Sequence, residues 1–407
     1  MSAHLKLLIH DFCGHPFQAQ LSRELARSGL DVIHAYCSSY TTGRGALGLV
    51  PDDPVGLSFV PVSMGDEFDK YSARRRLKQE IGYAVALYRL VRQQRPDVLV
   101  MCNTPLGAHA LLTLLLLLPR RRRAPRVLYW HQDVISSAMR TEAVKRLGRP
   151  GLLVGFLAER VERWLARSAQ RIVVIAETFL APHRRWGTVS KTRVIPNWAP
   201  LGDIVPGLKD NAWSREHGLS DRAVVMYAGT LGLKHNPDLL VAIGRILREH
   251  LPQARMVVVS EGVGADHVKE HGLDLPVVVL PFQDFTVLPD VLATADVLVT
   301  LLEPEASDFS VPSKTLTYLC SGRAVLGFMR PTNPAATLIR RGGGAVFDIE
   351  DLDMAVVSEI VLRLLTQRAV VQEAGRVARA LAESEFDINS IGQKFRDEIF
   401  ATAATRR

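Results

Sequence analysis

Short apolar runs recur along the whole chain, and their pattern predicts β-strands buried on both faces. The runs are four to six residues long, rich in Val, Ile and Leu, and bounded by Gly, Pro or polar turns, as is typical of parallel sheets. In the first half they are Lys6–His10, Asp31–Tyr36, Asp97–Cys102, Val127–Trp130 and Arg171–Ile175. In the second half they are Ala223–Tyr227, Arg255–Ser260, Val277–Leu280, Asp296–Leu301, Ala324–Phe328 and Gly344–Phe347.

Helical patterns separate the predicted strands. In Pro16–Ser28, Phe17, Leu21 and Leu25 recur every four residues on one face, and Gly29 is placed to end that helix in a left-handed conformation. Further helices are predicted at Pro237–Glu249, Leu288–Thr294, Pro312–Cys320, Pro334–Arg341 and Ile388–Ala401. Strands that alternate with helices indicate parallel sheets with right-handed crossovers.

The strand–helix pattern occurs twice, which predicts an α/β chain of two doubly wound, Rossmann-like domains. A length of 407 residues fits two or three domains of about 150 residues each. We expect the first domain at residues 1–200 and the second at 201–385, with Asn197–Asp221 as the linker because it has little periodicity. The final helix, within 386–407, can belong to either domain, packing back on the first being one alternative. The expected ligand site is the cleft between the two facing sheets, beyond the carboxyl ends of their strands.

Composition favours a cytoplasmic protein. No signal peptide is recognised, because Met1–Lys6 leads directly into a strand-like run. The four cysteines lack metal-ligand or C-x-x-C spacing, which predicts free thiols in a reducing compartment; they are Cys13, Cys37, Cys102 and Cys320. The longest apolar stretch, Leu111–Leu118, is shorter than the roughly 20 residues that span a bilayer, and we expect it to form a buried helix.

The net charge of +8 is unevenly distributed. Residues 1–200 hold 29 Lys and Arg against 15 Asp and Glu, whereas the remainder holds 21 against 27. Nucleic acid is excluded as a partner because the chain has no zinc-finger spacing, no RNP-like strand and no recognition helix. Two interpretations stand: a surface that meets anionic lipid, or a basic composition without a partner.

Two arginine clusters make the membrane interpretation specific. Arg120–Arg123 follows the longest apolar stretch, and Arg74–Arg76 opens a helical run that continues to Arg95. Within that run an apolar stripe recurs at helical spacing, formed by Leu77, Ile81, Val85 and Tyr88. The stripe faces either the core or lipid headgroups, and we favour the core.

Two loops after strands of the first domain carry candidate chemistry. In Asp11–Pro16, Gly14 allows the backbone to approach a ligand, and the helix start near Pro16 offers free N–H groups to a phosphate. After the strand at Val127–Trp130, His131 and Asp133 are placed to orient a sugar hydroxyl or to accept a proton. The alternatives are an ordinary strand-to-helix turn and a structurally hydrogen-bonded pair.

A third candidate loop follows the first strand of the second domain. Tyr227–Pro237 contains Gly229 and Gly232, which permit a tight turn, and Lys234 close to a helix start. A cation at that position can pair with a diphosphate. The spacing of a P-loop is absent.

A fourth candidate is the stretch Phe309–Arg323. Pro312 suits a first helical position and Ser310 suits a cap, while Ser313 and Lys314 add a hydroxyl and a cation. The alternative is a plain amphipathic helix with its polar side in water.

Together, these motifs and their order resemble the retaining glycosyltransferases of family 4, which have the two-domain GT-B fold. The resemblance covers Leu7 to about Phe400 and is nearest to bacterial enzymes that assemble exopolysaccharide or other cell-surface glycans. The matching motifs are Gly229-Thr230-Leu231 with Lys234, Leu292–Val297, Val311–Lys314 leading into Tyr318–Gly322, and Arg341–Gly344.

The resemblance implies a hexosyltransferase-type enzyme of class EC 2.4 that needs neither a metal nor another cofactor. A nucleoside-diphosphate sugar would be the donor, and a glycan or polyprenyl-linked acceptor would be used at the inner face of the cell membrane. The second domain would bind the donor through Gly229, Thr230, Lys234, Phe285, Ser310, Ser313, Lys314 and Thr317. The first would bind the acceptor, with Gly14 near the donor phosphates and His131 or Asp133 at the reacting sugar. Lys234 would stabilise the leaving diphosphate.

Two positions depart from the family pattern. Thr230 stands where many members have an arginine, and Thr317 stands where many have a glutamate that binds the ribose hydroxyls. A threonine can hydrogen-bond one hydroxyl but cannot hold two as a carboxylate does. Nucleotide recognition therefore differs from the common pattern, or Glu303 or Glu305 substitutes.

Two other functions fit the same fold. A catalytically silent relative that binds a sugar nucleotide or a lipid and acts as a scaffold is consistent with Thr230 and Thr317. A sugar-nucleotide 2-epimerase would require acidic and histidine residues grouped around the anomeric carbon, and the sequence does not show such a group clearly.

Overall fold

The chain forms two compact units, each built on its own parallel sheet. The computed structural model describes residues 5–14, 16–39, 47–64, 73–102, 104–118, 124–232, 235–307 and 314–405. Unit 1 comprises residues 1–197 together with 388–407, and unit 2 comprises residues 198–387. All four cysteines are free, as predicted.

Unit 1 contains a parallel sheet whose seven described strands follow the order β3-β2-β1-β4-β5-β6-β7. The strands are β1 (Lys6–Asp11), β2 (Asp31–Cys37), β3 (Leu57–Val62), β4 (Val98–Cys102), β5 (Arg126–His131), β6 (Arg171–Val174) and β7 (Thr192–Val194). The helices are α1 (Pro16–Arg27), α2 (Ala73–Gln94), α3 (Leu106–Leu117), α4 (Ile135–Leu147), α5 (Gly151–Ser168) and α6 (Leu180–Trp186).

Unit 2 contains a second parallel sheet, whose six described strands follow the order β10-β9-β8-β11-β12-β13. The strands are β8 (Val224–Ala228), β9 (Arg255–Val259), β10 (Val277–Leu280), β11 (Val297–Leu301), β12 (Ala324–Phe328) and β13 (Ala345–Phe347). The helices are α7 (Ala212–Glu216), α8 (Asp238–His250), α9 (Val263–His271), α10 (Leu288–Thr294), α11 (Pro304–Ser307), α12 (Lys314–Cys320), α13 (Pro334–Arg341), α14 (Met354–Thr366) and α15 (Arg368–Glu385). The two sheets confirm the predicted α/β class with two Rossmann-like halves.

Helix α1 shows how the apolar pattern forms this architecture. Leu21 and Leu25 are buried and Phe17 is half-buried, so the predicted face of the helix does pack inward. Gly29 follows the helix with φ of 89°, and its N–H donates to the Ala26 carbonyl at 2.9 Å. The predicted left-handed cap is therefore confirmed.

The last helix, α16 (Ile388–Ala404), packs within unit 1. The ring of Phe395 meets Trp130 edge to face at a centroid distance of 4.7 Å. Glu398 accepts from the Arg171 guanidinium at 2.9 Å. The segment predicted as a linker begins unit 2 and contains α7, whose first turn is capped by Asn211.

Helix α2 does not turn its predicted stripe toward the core. Leu77 and Ile81 are exposed, because a different face of the helix packs against the core. That buried face includes Glu80, Tyr83, Ala84, Leu87 and Val91. The preference for a core-facing stripe was therefore wrong at Leu77 and Ile81.

Helix α3 carries the longest apolar stretch and is only partly buried. Leu112 lies in the core, whereas Leu114, Leu117 and Leu118 at its carboxyl end are exposed. The predicted buried helix is thus confirmed for its first half only, and Arg120–Arg123 lies outside the described residues. Across the described parts of the chain, no helix combines the length and apolar character needed to cross a membrane.

Candidate functional site

The sheet of unit 2 has its topological switch point between β8 and β11, and the loop after β8 lies there. From β8 the strand order continues to β9 and β10 on one side and to β11, β12 and β13 on the other. Doubly wound sheets bind ligands where the strand order reverses in this way. Gly229 follows β8 with φ of 128°, a value that disfavours any side chain. A Cβ at Gly229 would lie 3.2 Å from Lys314 Nζ. The fold thus brings the third and fourth candidate motifs into contact.

Lys314 is held at this edge by Tyr227, the penultimate residue of β8. Its Nζ donates to the Tyr227 hydroxyl at 2.5 Å and lies 3.8 Å from the centroid of the same ring. The Tyr227 hydroxyl donates in turn to the Thr230 carbonyl oxygen at 2.6 Å. A chain of two hydrogen bonds therefore joins the ammonium group to the glycine-containing loop.

One helical turn after Lys314, a second residue of α12 also contacts β8. The buried Tyr318 hydroxyl accepts from the Ala228 N–H at 2.9 Å and donates to the Ala228 carbonyl at 2.8 Å. Residues four apart lie on the same face of a helix, so this clamp sets the position of Lys314. Thr317, the other candidate on α12, is half-buried.

The electrostatic state of Lys314 is unusual for a lysine. Burial lowers its pKa to about 7, because the charged form loses hydration. Among the described residues, no carboxylate contributes to this shift or forms an ion pair with Lys314. The site therefore presents a positioned cation that a ligand anion can neutralise.

Aromatic side chains stand in the loop after β10. Phe285, a predicted base contact, is 58% exposed, and Phe282 beside it is 45% exposed. The loop is tied down at Gln283, whose Oε1 accepts from Trp213 Nε1 at 2.9 Å. Exposed flat rings on an anchored loop provide stacking surfaces for a nucleobase.

The remaining donor-side candidates are placed as follows. Thr230 is exposed, and Glu303 follows β11 at the same carboxyl edge, where it is half-buried. Lys234, Ser310 and Ser313 lie outside the described residues, and their roles remain predictions.

In unit 1, a hydrogen bond between two side chains connects the segment after β1 to the segment after β5. Gly14 is buried with φ of 72°, and the N–H of Cys13 before it donates to Asp11 Oδ1 at 3.1 Å. Gln18 in the first turn of α1 donates to Gln132 Oε1 at 3.0 Å, which joins this loop to the segment after β5. Asp133, the next residue, is exposed at the same edge.

His131 is not available to a ligand in this structure. It is 1% exposed, and both ring nitrogens lie within hydrogen-bond distance of protein atoms. Nδ1 is 3.0 Å from His183 Nε2, and Nε2 is 3.2 Å from Glu162 Oε1. The structurally hydrogen-bonded alternative describes His131, so the predicted contact with the reacting sugar does not fit its geometry.

Glu162 explains why this network is stable. Its carboxylate accepts from the N–H groups of Ile135 at 2.9 Å and Ser136 at 3.2 Å, and also from the Ser136 hydroxyl. Burial acts to raise the pKa of Glu162, but the hydrogen bonds from His131 and Ser136 outweigh it and lower the pKa. A carboxylate on α5 therefore caps the start of α4.

The structure adds partners of the candidate residues that the sequence did not single out. Tyr227 and Tyr318 position Lys314, and Glu162 and His183 satisfy His131. A weak signal existed for Tyr318, which lies four residues after Lys314 and therefore on its helical face. No spacing signal existed for Glu162 or His183.

A metal site needs several ligating side chains close together. Within the ranges that the structure describes, no three His, Cys, Asp or Glu side chains are grouped as ligands of an ion would be. The predicted independence from metal remains a prediction.

One family and many solved structures resemble the chain. Residues 15–198 match the family described as Glycosyl transferase 4-like domain. No curated protein sequence gives a significant match. The three structural matches described next extend over nearly the whole chain at low sequence identity, and they show the fold.

Three of these structures represent the group. Sucrose-phosphate synthase (tll1590) from Thermosynechococcus elongatus has a TM-score of 0.73 at 15% identity, covering 98% of this chain and 99% of that one. Anabaena Alr3699/HepE in complex with UDP and glucose has a TM-score of 0.70 at 14% identity, covering 98% and 100%. WaaG, a glycosyltransferase involved in lipopolysaccharide biosynthesis, has a TM-score of 0.66 at 14% identity, covering 97% and 99%. The domain match and the shared GT-B fold together support a glycosyltransferase of enzyme class EC 2.4.

Proposed function

We propose that the chain is a retaining glycosyltransferase that moves a sugar from a nucleoside-diphosphate sugar to a glycan or lipid-linked acceptor. The observation that carries this proposal is the ammonium group of Lys314, held against Gly229 at the switch point of unit 2. Charge-assisted contacts are the strong ones for a phosphate oxygen. Structures of HepE with UDP and with UDP-glucose support a donor of this class.

The proposed donor site divides its work among three features of unit 2. Lys314, with Lys234, neutralises the charge that develops on the diphosphate as its bond to the anomeric carbon breaks. Phe285 and Phe282 offer their exposed rings to the base. Thr317, one turn from Lys314 on α12, supplies a hydroxyl to the ribose in place of a carboxylate.

On the acceptor side, we propose Asp133 rather than His131 as the residue that meets the reacting groups. Asp133 is exposed at the carboxyl edge of the unit 1 sheet, whereas His131 is enclosed by protein partners. The acceptor hydroxyl attacks on the face from which the diphosphate leaves, which retains the anomeric configuration. The enzyme works in the cytoplasm, peripherally at the inner face of the cell membrane.

A ligand screen followed by product analysis tests the proposal. Thermal shift with UDP, GDP, ADP and their glucose, galactose and mannose conjugates identifies the nucleotide, because a ligand at 100 times its Kd stabilises by about 2.7 kcal/mol. Hydrolysis of the best conjugate, followed by NMR of the released anomer at early times, reports activity and stereochemistry. An inverted anomer contradicts retention, and binding without any turnover favours the scaffold alternative.

Asp133→Asn separates the acceptor-side role from donor binding. We expect turnover to fall by about tenfold to a hundredfold with UDP affinity unchanged, because the substitution removes a charge only from unit 1. Equal losses in turnover and affinity would contradict this assignment.

A further inference from the structure

Helices α4 and α5 form a tightly packed hairpin in unit 1. A Cβ at Gly151 would lie 2.4 Å from the Ala143 carbonyl carbon, and one at Gly155 would lie 2.5 Å from Arg140 Cβ. Both glycines therefore allow the two helices to approach more closely than side chains permit. Glu162 fixes the other end of the pair through its hydrogen bonds to the start of α4.

The hairpin exposes apolar side chains around its turn, in α4 and the first turns of α5. Leu153 is 62% exposed and Phe156 is 56% exposed, in the first turns of α5. The same region exposes Met139, Val144, Leu147, Leu152, Val154 and Leu157. Large neighbouring apolar groups of this kind mark an interaction surface rather than ordinary exposure.

The angular spread of these side chains identifies the kind of partner. In α5, the exposed apolar residues run from Leu152 to Leu157 and cover about 200° of arc at ~100° per residue. Gly151, Gly155 and Ala158 occupy the remaining arc and are buried. One protein partner with a flat interface covers a single face of a helix, whereas lipid surrounds an inserted tip on several sides.

Charge complements this apolar surface. Residues 139–160 contain five Lys and Arg against two Asp and Glu. Lys145, Arg146 and Arg149 flank the turn between the helices and are exposed. Such side chains can place their apolar stems beside lipid tails while their charges reach anionic headgroups.

We propose that the α4–α5 hairpin is a membrane anchor whose tip, residues 139–160, inserts into the surface of an anionic bilayer. This inference rests on the proposed function, in which the acceptor is lipid-linked, and it identifies the surface that binds the membrane. It assigns docking to the hairpin rather than to the arginine cluster that opens α2. The inserted apolar side chains hold the protein at the bilayer, and the basic residues give the preference for anionic lipid.

Vesicle flotation with a paired variant tests the anchor. Liposomes of phosphatidylcholine alone, and with phosphatidylglycerol, are mixed with the full-length protein at 0.1 M and 1 M salt, where the screening length falls from about 10 Å to about 3 Å. We expect binding to the anionic vesicles at low salt. The double substitution Leu153→Ser with Phe156→Ser should lower the partition coefficient by at least about tenfold.

The control and a solution measurement make the result decisive. Leu273→Ser changes a leucine of unit 2 that is also strongly exposed, and it should float as the unaltered protein does. UDP binding without vesicles should be equal in all three proteins, so a failure of the donor-site proposal appears separately. Equal flotation of the double variant, or no flotation of the unaltered protein, overturns the anchor. A further result also overturns the anchor: the unaltered protein does not float, and light scattering shows a dimer that the double substitution converts to a monomer. In that case the surface binds a second copy of the chain.

Discussion

The carboxyl edges of the two sheets differ in how their polar residues are satisfied. In unit 2, Lys314 is held by a tyrosine ring and hydroxyl, with no ion-pair partner among the described residues. In unit 1, His131 meets a carboxylate and a second imidazole, and that carboxylate takes three further hydrogen bonds. The edge of unit 2 can therefore still bind an anion through Lys314, whereas the polar groups of His131 and Glu162 in unit 1 already have protein partners.

This difference separates the proposed ligand-binding residues from structural ones at equivalent places in one fold. Both His131 and Gly229 stand at or directly after strand ends, where a doubly wound sheet binds ligands. Position alone therefore does not assign a role. The partners of each side chain decide it, and substitutions at the two edges should affect different properties.

Glu162→Ala should have the largest effect, and on stability. It leaves the N–H groups of Ile135 and Ser136 and the ring of His131 without their buried acceptor, so we expect the free energy of unfolding to fall by about 3–5 kcal/mol. Because the fold lowers the pKa of Glu162, its stabilisation is present above the ordinary carboxyl range and is lost as the pH falls below that range and through the lowered pKa. Urea denaturation at pH 7 and at successively lower pH values measures both. Glu142→Ala, in an exposed ion pair with Arg146, is the control and should change stability by about 1 kcal/mol or less.

Lys314→Met should leave the fold intact and weaken nucleotide binding. The methionine retains most of the apolar stem but removes the charge, and we expect UDP affinity to fall by about 1.5–3 kcal/mol, roughly tenfold to over a hundredfold. Isothermal titration calorimetry measures the change. Lys269→Met, at an exposed position on α9, should bind UDP as the unaltered protein does. Similar affinity in both variants would remove Lys314 from the donor site.

The pH dependence of UDP binding should carry the signature of Lys314. Its pKa is lowered to about 7 by burial, and a bound diphosphate would raise it again. Binding then takes up a proton above pH 7, so affinity should fall by up to about tenfold, or 1.4 kcal/mol, for each pH unit above that value. Titrations at pH 7, 8 and 9 test this slope. The same slope in Lys314→Met would assign the proton to another group.

Tyr227→Phe should have the smallest effect. It keeps the ring beneath the ammonium but removes the hydroxyl that joins Lys314 to the Thr230 carbonyl, so we expect UDP affinity to fall by about 0.5–1.5 kcal/mol. Tyr227→Leu, which removes the ring as well, should weaken binding further. If both variants bind equally well, the ring does not hold the cation.

Much of the fold was predictable because most strands are buried on both faces and read as apolar runs. Strand β3 was missed because only its end residues, Leu57 and Val62, are buried and Pro61 interrupts it, and β7 is only three residues long. Helices α4 and α5 were missed as well, since their exposed apolar residues do not form the usual one-sided stripe.

The candidate site was predictable at the level of motifs but not of roles. Glycine loops and cations near strand ends pointed to the carboxyl edge of each sheet. The enclosure of His131 was not predictable because its partners Glu162 and His183 are 31 and 52 residues away in sequence. Tyr227 and Lys314 are 87 residues apart, and no periodicity links positions at that distance.

The close approach of Gly229 and Lys314 also constrains how this protein can evolve. Any side chain at position 229 would meet an ammonium group at 3.2 Å on a backbone with φ of 128°. A lineage that acquires a side chain at position 229 must therefore strain the backbone there and displace the cation by a few tenths of an ångström. The two positions should consequently vary together among relatives of this chain, and a change of donor nucleotide should arise more readily in the anchored loop that carries Phe285.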